Sequence, residues 1–188
     1  MTTLERFVAD VRTNRHNRAI LERWHALNLP DGWLVAGCLF QTVWNLQAGA
    51  APEANIRDYD LFYFDADDLS EAGEQRVQAH VDDVLGDLGI VTEAKNQARV
   101  HLWYQDHFGH PYAPLASSRD GIARFLVPAT CVGLRMAADG PELFAPYGLP
   151  LLYAGRLTPN PLIDHRELFH AKARSYQARW PALVIQAD

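Results

Sequence analysis

The segment Arg57-Asp58-Tyr59-Asp60-Leu61-Phe62-Tyr63-Phe64 constrains this chain more than any other stretch. Its density of aromatic and aliphatic residues, between a Gly/Ala/Pro loop and Asp67-Asp68, predicts a strand over about 57–64. Side chains alternate along a strand, so Asp58 and Asp60 share one face about 6.5 to 7 Å apart, while Tyr59, Leu61 and Tyr63 take the other. Two ionised carboxylates at that separation repel by roughly 2.5 kcal/mol at an effective dielectric near 20. A divalent cation offsets that repulsion, and magnesium favours one or two carboxylates together with substrate phosphates. A solvated strand edge also accommodates the triplet, but the buried run that follows places the two charges at the lip of a packed element.

The flanking segments suggest how that strand is housed. Leu4, Phe7, Val8 and Val11, then Ile20, Leu21, Trp24 and Leu27, repeat at helical spacing and predict a helical cap over 1–30. Pro30-Asp31-Gly32 breaks the pattern. A short buried strand, Trp33 to Ala36, then runs into Gly37, and Leu39, Phe40, Val43, Trp44 and Leu46 predict a helix from Cys38. Ser70 is placed to cap a helix through Val77, Val81 and Leu85 to Leu88, with Gly89 as its stop and a strand from Ile90 to Lys95 after it. Arg99 to Tyr104 reads as a further strand or as a continuation after a bend. Ser118 is expected to cap a short helix to Leu126. Thr130–Met136 and Leu143–Ala145 flank Asp139-Gly140 as a candidate hairpin, and a last helix falls within 162–180. Strands in the middle and helices at both ends give an α+β reading. With 188 residues and no long linker, one domain is expected over 1–188, with its core at 31–161 and a terminal helix in 162–188.

Charge excludes more than it identifies. Lys and Arg number 17 against 23 Asp and Glu, a formal charge of −6 that argues against extensive nucleic-acid binding through a basic surface. Eleven of those acids lie between Glu53 and Asp87, against only Arg57 and Arg76, so the acidic pair sits in the most negative part of the chain. Cys38 and Cys131 are far apart and in no metal-binding spacing. The first residues lack an apolar leader and the longest apolar run, Trp33 to Phe40, is too short to span a bilayer, so a cytoplasmic protein without a membrane partner is expected.

Further residues extend the candidate site. Glu93 interrupts a strand expected to be central and needs a metal or a cation such as Lys95 or Arg99, unless it lies on an exposed face. Gly37 begins a helix whose free N–H groups and positive dipole end suit a polyphosphate, although any tight strand-to-helix turn also uses glycine. Lys95, Arg99, Arg119 and Arg135 are candidate phosphate partners or neutralise nearby acids. His101, His107 and His110 raise a metal-hydrolase alternative, but the loop spacing of His107 and His110 fixes no shared face. Trp33, Trp44 and Trp103 are expected in the core.

The order Gly37-Cys38, Asp58-x-Asp60, Glu93 resembles the nucleotidyltransferase superfamily that includes DNA polymerase beta. More closely, Gln41-Thr42-Val43-Trp44-Asn45, Asp58 to Asp65, Asn96 to Tyr104 and Ala145-Pro146-Tyr147-Gly148-Leu149 are similar to a bacterial nucleotidyltransferase-like family of unknown substrate, over about 33–161. The resemblance implies a mixed β-sheet with flanking helices that binds a nucleoside triphosphate with magnesium or manganese. Asp58 and Asp60 would be metal ligands, Glu93 the third acid, and Gly37, Cys38, Lys95 and Arg99 would face the nucleotide. The implied reaction is in-line attack of an unidentified hydroxyl acceptor on the α-phosphate with loss of pyrophosphate. Cys38 stands where the superfamily usually has serine or glycine, and the interval from Gly37 to Asp58 is longer than usual. A catalytically silent nucleotide- or partner-binding module on the same fold is the alternative from another class.

Overall fold

The computed structural model describes residues 3–163 and 165–186. Three helices open the chain, α1 (Thr3–Arg12), α2 (Arg15–Glu22) and α3 (Trp24–Leu27), before the short strand β1 (Trp33–Val35) and helix α4 (Gly37–Gln47). There follow β2 (Asp58–Tyr63), α5 (Glu71–Leu85), β3 (Val91–Asn96), α6 (Val100–Phe108), α7 (Ser118–Ala123), and the hairpin of β4 (Gly133–Ala137) and β5 (Gly140–Phe144). Helix α8 (Leu149–Tyr153), β6 (Arg156–Leu157), α9 (Arg166–Arg179) and β7 (Val184–Ile185) complete the described residues.

Five strands form one mixed sheet in the order β3-β2-β1-β4-β5, and β6 pairs with β7 separately. Only β2 and β3 run parallel within the larger sheet, joined by α5 as crossover, while the other three pairings are antiparallel. The register sorts the side chains by face. Leu34 opposes Leu61 and Leu134, and with Tyr59, Tyr63 and Ala94 they are buried in the main core, which also holds Phe7, Trp24, Leu39, Trp44 and Val81 from the helices. Trp33 opposes Phe62 and Val35 opposes Asp60 on the other face, where Ile122, Phe125 and Cys131 make a smaller cluster around Trp33 and Val35. One face is thus sealed by helices. The other carries this smaller cluster toward Phe62, and the Asp58 end of β2 lies beyond it.

Local chemistry explains most boundaries. Ser70 accepts from the Gly73 N–H at 3.0 Å and starts α5, and Gly89 takes a positive φ of 65° after the helix has ended in a 3-10 turn. In the segment 99–104, expected as a strand or a continuation after a bend, Arg99 ends a 3-10 turn and 100–104 begin α6. Asn96 caps the preceding turn by accepting from the Ala98 N–H at 3.1 Å, which redirects the chain out of β3. The next helix is capped by Ser117 rather than Ser118, whose own N–H donates to Asp31 at 2.7 Å. Trp103 is a further correction: at 39% exposure on α6 it lies outside the core that holds Trp33 and Trp44. No helix among the described residues is long and apolar enough to cross a membrane.

Buried polar contacts tie the opening helices to the sheet. Asn14 caps α2, and its amide also donates to Thr42 Oγ1 at 3.1 Å and to the Tyr59 hydroxyl at 3.3 Å. Asn17 donates to the Cys38 carbonyl at 2.8 Å. Helix α2 therefore holds both the first turn of α4 and the inward face of β2, the two elements that flank the acidic pair.

Candidate active site

The acidic pair meets the start of α4 because β1 and β2 are antiparallel neighbours. Asp60 is the register partner of Val35, the last residue of β1, and the chain turns into α4 two residues later at Gly37. The long interval in sequence is therefore closed by pairing in space. Ala36 makes the turn with φ 59° and ψ −131°, a conformation that costs an L-residue on the order of 1–3 kcal/mol. Ala36 stands at the N-cap and offers no side-chain hydrogen bond to the first turn of α4, and none is made there among the described residues. A Cβ on Gly37 would stand 2.6 Å from Gln41 Nε2, so glycine lets the Gln41 amide fold back over the helix start.

Asp58, Asp60, Gly37 and Gln41 line a cavity of about 430 Å³. Its opposite wall is α9. Phe169, Ala173, Tyr176 and Trp180 form the buried stripe of that segment, with Tyr176 packed on Phe40 and Trp44 at ring-centroid distances of 5.3 and 5.4 Å. The adjacent stripe, Lys172, Ser175 and Arg179, faces the cavity. Trp180 Nε1 donates to Asn45 at 2.9 Å, and Arg179 Nη1 donates to Gln41 at 3.2 Å, which fixes the end of α9 against α4. Arg57 and Asn55 close the rim from the loop before β2.

The charges here lack direct partners. Neither Asp58 nor Asp60 accepts a side-chain hydrogen bond or enters an ion pair among the described residues, although both are largely shielded. Burial, and then the negative charges of Asp58 and Glu93, push the Asp60 carboxyl up to about 7, with Lys95 and Lys172 pulling weakly the other way. The donor chemistry fits a divalent cation: two hard oxygen groups on one strand face, beside an uncapped helix start and with no ammonium or guanidinium bound to either. Among the described residues no three His, Cys, Asp or Glu side chains converge enough to hold a metal alone, so remaining ligands would come from substrate oxygens and water.

The other expected residues divide. Glu93 is the register partner of Asp60 on the parallel strand β3, and therefore shares its face, but its carboxylate lies 3.8 Å from Lys95 Nζ and both side chains are about half exposed. Glu93 and Lys95 flank the cavity without lining it. Cys38 is fully buried with Sγ directed at the Val35 carbonyl, 3.3 Å away, and burial followed by the charges of Asp60 and Asp58 drives its thiol well up. Only its backbone N–H belongs to the helix start. Arg99 is not brought to the cavity: its guanidinium pairs with Glu74 and donates to the Leu69 carbonyl at 2.9 Å, at the far end of β2. Arg119 and Arg135 pair with Glu142. His110 stacks on His165 at 4.1 Å, and the histidines make no metal cluster among the described residues.

Lys172, Ser175 and Arg179 were not anticipated from the sequence. Their signal is a spacing of three and four residues on a helix, Lys172-x-x-Ser175-x-x-x-Arg179, which puts all three on one face. Nothing local connects that face to an acidic strand so distant in the chain.

Residues 22–185 match a family model described as nucleotidyltransferase. A solved structure described as an NMR structure that reveals a CCA-adding enzyme head domain is similar with a TM-score of 0.79 and 27% identity, over 98% of this chain and 96% of that one. Among curated proteins none matches.

Proposed function

The chain belongs to the nucleotidyltransferase family, and from that premise we propose that it moves a nucleoside monophosphate from a nucleoside triphosphate to a hydroxyl acceptor, with release of pyrophosphate. The observation that carries this reading is the acidic pair, Asp58 and Asp60, shielded without a cationic partner among the described residues and facing the uncapped start of α4 across one cavity. The likeness to a CCA-adding enzyme head supports the same class of transfer.

Asp58 and Asp60 would hold magnesium or manganese, which when bound supplies neutralisation of charge on the reacting phosphate and its leaving oxygens. The N–H groups of Gly37 and Cys38 would donate to phosphate oxygens, the Cys38 thiol taking no part. Lys172 and Arg179, with Arg57 at the rim, would pair with the remaining phosphate charge. Glu93 would act from the neighbouring strand, orienting the acceptor hydroxyl or taking its proton once it is released from Lys95.

The test is pyrophosphate release from each of the four ribonucleoside triphosphates with magnesium or manganese, alongside Asp58→Asn and Asp60→Asn. Release by the wild type that falls about a hundredfold or more in each variant supports the reading. Metal-dependent nucleotide binding without release would favour the catalytically silent module, and phosphate release without transfer a hydrolase. A melting temperature unmoved by triphosphate and metal together would contradict a nucleotide site altogether.

A further inference from the structure

A second cavity, of about 580 Å³, adjoins the polar one and shares Phe40, Lys172, Ser175 and Tyr176 with it. Beyond that junction its character changes. Tyr104 and Phe108 of α6, Phe125 and Leu126 after α7, and Leu168 and Ala171 of α9 give it aromatic and aliphatic walls. Among the described residues no Asn, Gln, Asp or Glu lines it, whereas the polar cavity has Gln41 and Asn55 as well as its acids. The Thr130 hydroxyl is already donated to the Val127 carbonyl at 2.8 Å, and the Arg124 guanidinium lies over the Tyr112 ring at 5.3 Å.

That lining discriminates between the two organic groups a nucleotidyl transfer must seat. A nucleobase brings donors and acceptors along its edge, and burying them against walls without amide or carboxylate partners costs free energy. Flat aromatic groups bring no such demand and stack favourably on Tyr and Phe faces. Gln41 and Asn55 make the polar cavity the better home for the nucleotide. We propose that the apolar cavity receives the acceptor, and that the acceptor is a small alcohol carried on an aromatic body rather than the end of a nucleic acid. This rests on the transfer reading above. The acceptor oxygen would enter the polar cavity past Lys172 and Ser175 and form the new bond to the α-phosphorus. The bond from that phosphorus to the bridging oxygen of pyrophosphate breaks, pyrophosphate leaves with the electron pair, and the hydroxyl proton passes to the Glu93 carboxylate and on to solvent.

The probes are naphthylmethanol for the apolar cavity, adenosine and uridine as nucleosides without phosphate, a short RNA with a free terminal hydroxyl, and inorganic tripolyphosphate with manganese for the polar cavity. Calorimetric titrations use the full chain as wild type, Phe125→Ala, and Ala171→Trp, which fills the cavity from an exposed helix position and spares the core. Naphthylmethanol is expected to bind the wild type, to weaken about tenfold or more in Ala171→Trp, and to weaken less in Phe125→Ala, with tripolyphosphate affinity unchanged in both. The proposal is overturned if naphthylmethanol fails to bind the wild type, if either nucleoside displaces it with greater affinity, or if RNA accepts nucleotide equally well in wild type and Ala171→Trp. Failure of the transfer reading is separate: it shows as tripolyphosphate and manganese failing to bind the wild type.

Discussion

The two ends of β2 handle the same acidic stretch in opposite ways. At the far end Asp65, Asp68 and Glu74 each have work within the fold. Asp65 accepts from the N–H groups of Asp67 and Asp68 at 2.9 and 3.3 Å, Asp68 binds Ser70 and Arg76, and Glu74 pairs with Arg99 while accepting from the Asn96 N–H at 2.8 Å. At the near end Asp58 and Asp60 are shielded and receive nothing comparable among the described residues. The far-end acids are held by protein groups, whereas Asp58 and Asp60 line a cavity with no protein partner among the described residues, which leaves their oxygens open to a ligand.

That contrast breaks if mutation has the same consequence at both ends. The largest expected effect is on catalysis: Asp58→Asn should lower pyrophosphate release about a hundredfold or more while the melting curve stays cooperative. The opposite behaviour is expected from Glu74→Ala. It strands the mostly buried Arg99 guanidinium and the Asn96 N–H, so denaturant titration should show a loss of about 3 kcal/mol, with turnover per folded molecule little changed.

Acidity sharpens the comparison further. The Asp60 carboxyl sits at about 7 in the fold against 3.8 as its ordinary value, so its protonated form is the one the fold favours. The stability it contributes is fully present below pH about 4 and declines as pH rises toward about 7. Asp60→Asn should therefore be more stable than wild type at pH about 8 without metal, by on the order of a few kcal/mol at most, and the advantage should vanish near pH about 4. Thermal melts across that range, with and without manganese, measure it. A smaller gain is expected at the turn itself: Ala36→Gly relieves the positive φ and should raise stability by roughly 1 kcal/mol in the same melts.

Much of this architecture is legible locally. The alternation in β2, the Ser70 cap, the helix after Gly37 and the hairpin at Asp139-Gly140 are all short-range patterns, and each appears within a few residues of its expected place. The structure departs from expectation where tertiary contacts decide. Residues 99–104 contain several strand formers, yet the Asn96 cap turns them into helix, with Leu102 and Trp103 left exposed. Arg99 has the chemistry of a phosphate partner and the wrong address, because Glu74 holds it at the other end of the strand. The α9 wall was hidden for the converse reason. Lys172, Ser175 and Arg179 look like an ordinary solvated helix face until Tyr176 and Trp180 dock that helix on α4.

The most direct test is a calorimetric titration of manganese into the protein in the presence of a non-hydrolysable nucleoside triphosphate, repeated with Asp58→Asn and Asp60→Asn. The account requires saturable binding in the wild type that both substitutions abolish. Manganese binding of equal affinity in all three proteins, or none in the wild type, would contradict it.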